Sequence, residues 1–135
     1  MMKSVPKIII ADDVSIMRRL LKNSLLNAGF SEVTEAGNGT DLLQKLEQSS
    51  FDLIICDWDM PKMSGLQALK LIKQHDDLNH IPFVMVTAVT DMAHVKEAIE
   101  LGIHDYIAKP VQPDVFIRKI KKIIAGLNSG GAATA

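Results

Sequence analysis

Three short stretches of the chain are apolar without interruption: Ile8-Ile9-Ile10, Leu53-Ile54-Ile55-Cys56 and Phe83-Val84-Met85-Val86. A strand with one wet face alternates apolar and polar residues. One that does not alternate is covered on both faces, as in a parallel sheet between two layers of helices. Two weaker strands are predicted at Glu32 to Ala36 and at Asp105 to Ala108.

Helical spacing fills the gaps. Met17, Leu20, Leu21, Ser24, Leu25 and Ala28 fall on one predicted face, with Arg18, Arg19 and Lys22 on the other, and Gly29 is a natural stop. Leu42, Leu43 and Leu46 predict a short second helix, preceded by a turn at Gly37-Asn38-Gly39. Ser64 and Gln67 have the spacing of a capping box, and Leu69 and Ile72 continue the stripe behind them. Val95, Ala98 and Ile99 predict a fourth helix, opened by Asp91 and ended near Gly102. Pro113 suits a first helical position, followed by Phe116, Ile120, Ile123, Ile124 and Leu127 at helical spacing. Five βα units in succession predict an α/β fold with a parallel sheet and right-handed crossovers.

Composition narrows the partners. Fifteen basic residues against sixteen acidic ones, net charge -1, make no electrostatic case for nucleic acid or an anionic membrane. Cys56 is the only cysteine, so there is no disulfide framework and no thiolate metal site. The N-terminus predicts no signal peptide, and no apolar run approaches the ~20 residues that span a bilayer. A cytoplasmic protein is expected.

The polar residues then acquire a pattern. Asp12 and Asp13 follow the first strand, Asp57 ends the third, Thr87 ends the fourth and Lys109 follows the fifth. All five fall at carboxyl ends of predicted strands, the edge at which open α/β sheets bind ligands. Two carboxylates ~4 Å apart repel by roughly 4 kcal/mol at an effective dielectric near 20. Either their pKa values rise or a cation joins them. Oxygen-only donors suit a hard ion, and so few carboxylates leave room for water and phosphate oxygens, which points to Mg²⁺. Taken alone, the Asp12-Asp13 pair reads as a helix N-cap, Lys109 as a solvated lysine and Thr87 as a strand residue with a satisfied hydroxyl. The constellation favours a metal site with Asp57 as a carboxylate nucleophile toward phosphorus.

The stretches Ile9-Ile10-Ala11-Asp12-Asp13, Met17-Arg18-Arg19, Cys56-Asp57-Trp58-Asp59-Met60-Pro61, Met85-Val86-Thr87-Ala88, and Tyr106 with Lys109-Pro110 resemble the receiver domains of two-component response regulators. Among these they are most similar to the single-domain CheY-like chemotaxis type. The resemblance implies a flavodoxin-like (βα)5 fold with strand order 2-1-3-4-5. Residues 1–127 would be the receiver domain and 128–135 a flexible tail. Asp57 would accept phosphoryl from a sensor histidine kinase of the chemotaxis type or from a small phosphodonor. Asp12, Asp13 and Asp57 would hold Mg²⁺ together with the backbone carbonyl of Asp59. Thr87 and Lys109 would grip the phosphoryl group. Tyr106 would change rotamer with Thr87 and reshape a partner face of Thr90, Met92, Val95, Ile99, Tyr106, Val111 and Lys119. The Lys109-Pro110 bond would be cis. A flagellar switch protein and an auxiliary phosphatase are implied partners, and the chain would be a monomer and a phosphoacceptor, not a turnover enzyme.

Four positions depart from the family pattern: Asp59 stands where Asn is usual, Ser64 where Asp is common, Val111 where Phe is typical of the chemotaxis type, and Val89 where the residue is often polar. Two other readings stay open. One is a receiver domain serving another pathway or a longer regulator. The other is a phosphatase of the haloacid-dehalogenase type, since Asp57-Trp58-Asp59 mimics its Asp-x-Asp motif; the motif's place on the third strand and the lack of a cap domain count against it. His75, His80, His94 and His104 lack metal spacing and read as surface residues. Arg118, Lys119, Lys121 and Lys122 read as a solvated helix face, Met60 and Met63 as loop packing and Cys56 as an inert strand residue.

Overall fold

A computed structural model describes residues 5–88 and 92–128, with Met92 and Asn128 as backbone only. The expectations for Val89, Thr90, Asp91, the Met92 side chain and the tail beyond 128 lie outside the described residues. Five strands alternate with five helices: β1 (Lys7–Ala11), α1 (Ser15–Asn27), β2 (Glu32–Ala36), α2 (Gly39–Gln48), β3 (Leu53–Asp57), α3 (Gly65–Lys73), β4 (Phe83–Ala88), α4 (Met92–Leu101), β5 (Asp105–Lys109) and α5 (Pro113–Asn128). All four pairings are parallel, and the sheet order is β2-β1-β3-β4-β5. This is the flavodoxin-like order that the resemblance implied.

The unbroken apolar runs feed two cores. Ile9, Ile54, Cys56, Phe83 and Met85 pack with Leu42, Leu46, Ala68, Leu69, Ile72 and Ala98 from α2, α3 and α4. The intervening Ile8, Ile10, Leu53, Ile55, Val84 and Val86 pack with Leu21, Leu25, Phe116, Ile120 and Ile124 from α1 and α5. Alternate side chains of one strand point to opposite faces, so a run apolar at every position serves both layers.

The predicted stops at Gly29 and Gly102 and the predicted start at Ser64 are in place. Gly29 and Gly102, both at φ +99°, end α1 and α4 in a conformation that favours glycine. Asn38 caps α2 by accepting from the Asp41 N–H. Ser64 and Gln67 form the reciprocal capping box of α3. One expectation is corrected: Leu20 is not on the inner face of α1 but 55% exposed, because Met17, Leu21 and Leu25, four residues apart, already fill the strip that touches the sheet.

The strand order reverses between β1 and β3. The first crossover leads outward to β2 and the next returns to the far side of β1. At that point the helices above the carboxyl ends diverge and leave a crevice. Asp12 and Asp57 flank it.

Candidate functional site

The chain leaves β1 through Asp12, whose amide donates to the Ala36 carbonyl of β2 at 3.1 Å. Its Oδ1 accepts the Val14 N–H at 2.8 Å. The N-cap of α1 is Val14, not an aspartate, so the capping explanation of the Asp12-Asp13 pair falls away. Asp12 is buried, and its Oδ2 has no hydrogen-bond partner. Asp13, next to it, is exposed.

Asp57 closes β3 with its side chain buried. The main chain around it is fixed by two bonds: Trp58 N–H to the Val86 carbonyl at 2.9 Å and Gly65 N–H to the Trp58 carbonyl at 2.8 Å. Carboxylate oxygens of Asp12, Asp13 and Asp57 lie within 4.8 Å of one another. Lys109, from the end of β5, places Nζ 2.8 Å from Asp57 Oδ1. The contact is an ion pair, and Oδ1 has no other polar partner among the described residues. At that distance the Coulomb attraction holds whatever the angle.

The electrostatics follow from burial. Desolvation raises the pKa of Asp57, with the neighbouring Asp12 and Asp13 charges adding to it and Lys109 opposing. Desolvation likewise raises Asp12, against the Val14 N–H and the Lys109 charge. Burial pulls Lys109 the other way, but the Asp57 contact and the charges of Asp57, Asp12 and Asp59 outweigh it and raise its pKa. The ammonium is therefore held charged beside an acidic cluster that one lysine does not neutralise.

The donor set fits a divalent hard cation. The buried Asp12 Oδ2, which has no hydrogen-bond partner, and the buried Asp57 carboxylate, paired with Lys109, converge with Asp13 from the solvent side, an oxygen-only donor set among the described residues. Thr87, the last residue but one of β4, is buried on the strand beside Asp57, whose β4 partner in register is Val86. Its hydroxyl makes a long 3.4 Å contact to the Ala88 carbonyl. Asp59 has an exposed side chain whose charge reaches Lys109. The Lys109-Pro110 peptide is cis.

The partner-face residues divide. Ile99 is 56% exposed on α4, whereas Val95 is buried and supports that helix from beneath, so it does not line the surface. Val111 packs against the α1/α5 core. Tyr106 is half-buried against the other core. Lys119 is not a solvated cation: its Nζ donates to the Tyr106 carbonyl at 2.7 Å and to Asp105 Oδ1 at 3.2 Å, and lies 5.0 Å from the Tyr106 ring centroid. Met63 does pack, with its sulfur against the α2 start at Gly39. Cys56 is buried, and burial pushes its thiol pKa up.

Two contacts near the site were not anticipated. Arg18 turns off the expected polar face of α1 and donates to the Asp12 carbonyl at 2.6 Å and to Glu35 at 3.0 Å. The sequence carried a signal for this, since a cation in the first turns of a helix opposes the helix dipole and calls for a partner. His94 of α4 stacks on Trp58, with ring centroids 4.9 Å apart and planes at 25°. No short-range pattern connects positions so distant in sequence.

Comparison with known proteins identifies the family and the fold. The family model described as "Response regulator receiver domain" matches residues 8–121. Chemotaxis protein CheY of Pseudomonas aeruginosa is 39% identical over 122 residues, 90% of this chain and 98% of that one. Chemotaxis protein CheY-3 of Vibrio cholerae is 39% identical over 121 residues, 90% of this chain and 93% of its own. Among solved structures, a response regulator receiver domain protein from Clostridium thermocellum superposes with a TM-score of 0.82 at 29% identity, covering 91% of this chain and 97% of that one.

Proposed function

This chain belongs to the response regulator receiver domain family, and we propose that it is a CheY-like phosphoacceptor that takes a phosphoryl group on Asp57 in the presence of Mg²⁺. The observation that carries the reading is the buried Asp57 carboxylate, 2.8 Å from Lys109 and clustered with Asp12 and Asp13. In the transfer, an Asp57 oxygen forms a bond to phosphorus as the donor's bond to phosphorus breaks. With a phosphohistidine donor, the imidazole nitrogen keeps that electron pair. Asp12, Asp13 and Asp57, with the carbonyl of Asp59, would hold Mg²⁺, which would neutralise charge on the phosphoryl oxygens when bound. Lys109 supplies a fixed positive charge on the other side of Asp57. Thr87, whose hydroxyl makes a long 3.4 Å contact to the Ala88 carbonyl, donates to a phosphoryl oxygen.

The chemistry leaves the phosphoryl group on the protein as an acyl phosphate that later hydrolyses, so the chain is a signalling component and not a turnover enzyme. Its donor is a histidine kinase of the chemotaxis type. Its output is a protein surface around Ile99, Tyr106 and Lys119, with a flagellar switch protein as target and an auxiliary phosphatase as antagonist. Among the described residues no helix is long and apolar enough to cross a membrane. We place the protein in the cytoplasm as a monomer, with residues 1–127 as the receiver unit.

The test has two stages. The protein is incubated with Mg²⁺ and a small acyl phosphate, and label that is labile to hydroxylamine is sought on the wild type and on Asp57→Asn. Label on the wild type alone is expected, and equal label on both overturns Asp57 as acceptor. Binding to a flagellar switch-protein segment is then measured with and without Mg²⁺ and beryllofluoride. Tighter binding with beryllofluoride supports motor control. Unchanged binding leaves the receiver chemistry and turns the search to another signalling pathway.

A further inference from the structure

Arg18 is a charge in an unfavourable place. It lies in the first turns of α1, where the helix dipole is positive, and beside a cluster suited to a cation. Nevertheless it is held firmly. Its Nη1 donates to the Asp12 carbonyl at 2.6 Å and its Nε to Glu35 Oε1 at 3.0 Å, and only 19% of the side chain is exposed. Glu35 is fixed in turn. Its second oxygen faces Lys22 at 3.5 Å, and its carbonyl accepts from Lys45 Nζ at 2.7 Å. The planar guanidinium thus bridges the ends of β1 and β2.

What this bridge fixes is Asp12. The Asp12 amide is bonded to Ala36, its carbonyl to Arg18 and its Oδ1 to Val14, so Oδ2 alone is left over, buried and without a hydrogen-bond partner among the described residues. The Asp12 carbonyl belongs to the peptide that joins Asp12 to Asp13, so its orientation is shared by two members of the cluster. Without Arg18 that buried carbonyl loses its partner, and the peptide is free to turn.

We propose that Arg18 is a positioning residue for the cation site: by gripping the Asp12 carbonyl, with Glu35 setting its angle, it holds the Asp12 and Asp13 carboxylates in their binding geometry. This rests on the reading of the cluster as a divalent-cation site. Outer partners of metal ligands commonly matter by on the order of tenfold or more in affinity.

The competing roles differ in sign. If Arg18 acts only through its field, removing a positive charge near the site tightens Mg²⁺ binding. If it only stabilises the fold, the melting temperature falls and Mg²⁺ affinity does not move. If it positions Asp12, Mg²⁺ binding weakens although a repelling charge has gone.

The experiment is a Mg²⁺ titration of the full chain at fixed ionic strength, followed by Trp58 fluorescence, for the wild type, Arg18→Met and Glu35→Gln. Melting in EDTA is measured alongside. The expected result is a roughly tenfold weaker Mg²⁺ affinity in Arg18→Met with the wild-type end point at saturation, and a smaller weakening in Glu35→Gln. Unchanged or tighter affinity in Arg18→Met overturns the proposal, whatever happens to the melting temperature. If Arg18→Met does not fold, Glu35→Gln decides by the same criterion. A wild type that does not respond to Mg²⁺ by fluorescence or by melting overturns the cation-site reading itself, and the proposal with it.

Discussion

The α-carbon of Gly65 lies directly against the main chain of Asp57. A methyl group on it would sit 2.5 Å from the Asp57 carbonyl oxygen and 2.9 Å from Trp58 Cα. Neither neighbour is the end of a flexible side chain, so neither can yield without moving the strand end that carries the acceptor. Gly65→Ala is expected to destabilise the fold by about 1–3 kcal/mol and to slow labelling of Asp57. A second glycine provides the control. A Cβ on Gly126, inside α5, would meet nothing within 4 Å. Gly126→Ala is expected to stabilise by about 0.5–1 kcal/mol and leave labelling unchanged. Chemical denaturation and the hydroxylamine-labile label measure both.

The carboxylate cluster costs stability when no cation is bound. Asp12 and Asp57 are buried, Asp12 with an oxygen that has no hydrogen-bond partner, and burial raises both pKa values by disfavouring the charged forms, with Lys109 opposing. Asp12→Asn is therefore expected to raise the stability of the protein in EDTA, by about 1–2 kcal/mol. With Mg²⁺ at a hundred times its dissociation constant the wild type gains about 2.7 kcal/mol, and the variant gains much less. Melting curves in EDTA and in Mg²⁺ test both halves. A variant less stable than wild type in EDTA would mean that the carboxylates are not in strained opposition.

Most of this architecture could be read from the chain, for a physical reason. Ile8 to Ile10, Leu53 to Cys56 and Phe83 to Val86 are apolar at every position because two helical layers cover the sheet. A parallel sheet then sends all its carboxyl ends to one edge, so Asp12, Asp57 and Lys109 had to meet. What stayed hidden are side-chain choices made across elements. Arg18 reaches Glu35 on β2, Lys119 reaches back to Asp105 and Tyr106, and His94 finds Trp58. Long polar side chains have several reachable partners, and the pattern of hydrophobic positions does not rank them. Leu20 failed for a related reason: of the six residues assigned to the inner face it alone is exposed, beside the strip that Met17, Leu21 and Leu25 already fill.

Acid should expose the cap of α2. Burial works to raise Asp41, but the Gly37 N–H and Lys45 outweigh it and hold its pKa below the usual aspartate value. A carboxylate depressed in the folded state contributes stability that is fully present above its unfolded pKa and is lost as pH falls through its folded pKa. Asp41→Ala is expected to cost about 0.5–1.5 kcal/mol at neutral pH. The difference from wild type should shrink as the pH drops below 3.8. Denaturation at several pH values measures it, and a difference independent of pH would refute the assignment.

Asp59 adds an exposed carboxylate two residues from the acceptor, with its field already acting on Lys109. Once Asp57 carries a phosphoryl dianion, that charge disfavours the phosphorylated state and offers an acceptor for the proton of an attacking water. Asp59→Asn is expected to lengthen the lifetime of phosphorylated Asp57 several-fold, in the range of about 1 kcal/mol. Decay of label in Mg²⁺ checks this, and equal decay rates would remove Asp59 from the chemistry.

Trp58 is the only tryptophan, follows the acceptor directly and is buried beneath the His94 ring. Its fluorescence therefore has two sources of change, the charge at Asp57 and the position of α4. His94→Ala separates them. The variant should lose about 0.5–1.5 kcal/mol from the missing stack, and its emission in EDTA should shift to the red as water reaches the indole. On adding Mg²⁺ and beryllofluoride, the variant keeps the response to charge and loses the response to a moving imidazole. A smaller amplitude than in wild type would mean that filling the site displaces α4, the helix that carries Ile99 to the partner face. Equal amplitudes would mean that α4 stays fixed over Trp58, and any signal to that face must then run through Thr87 and Tyr106.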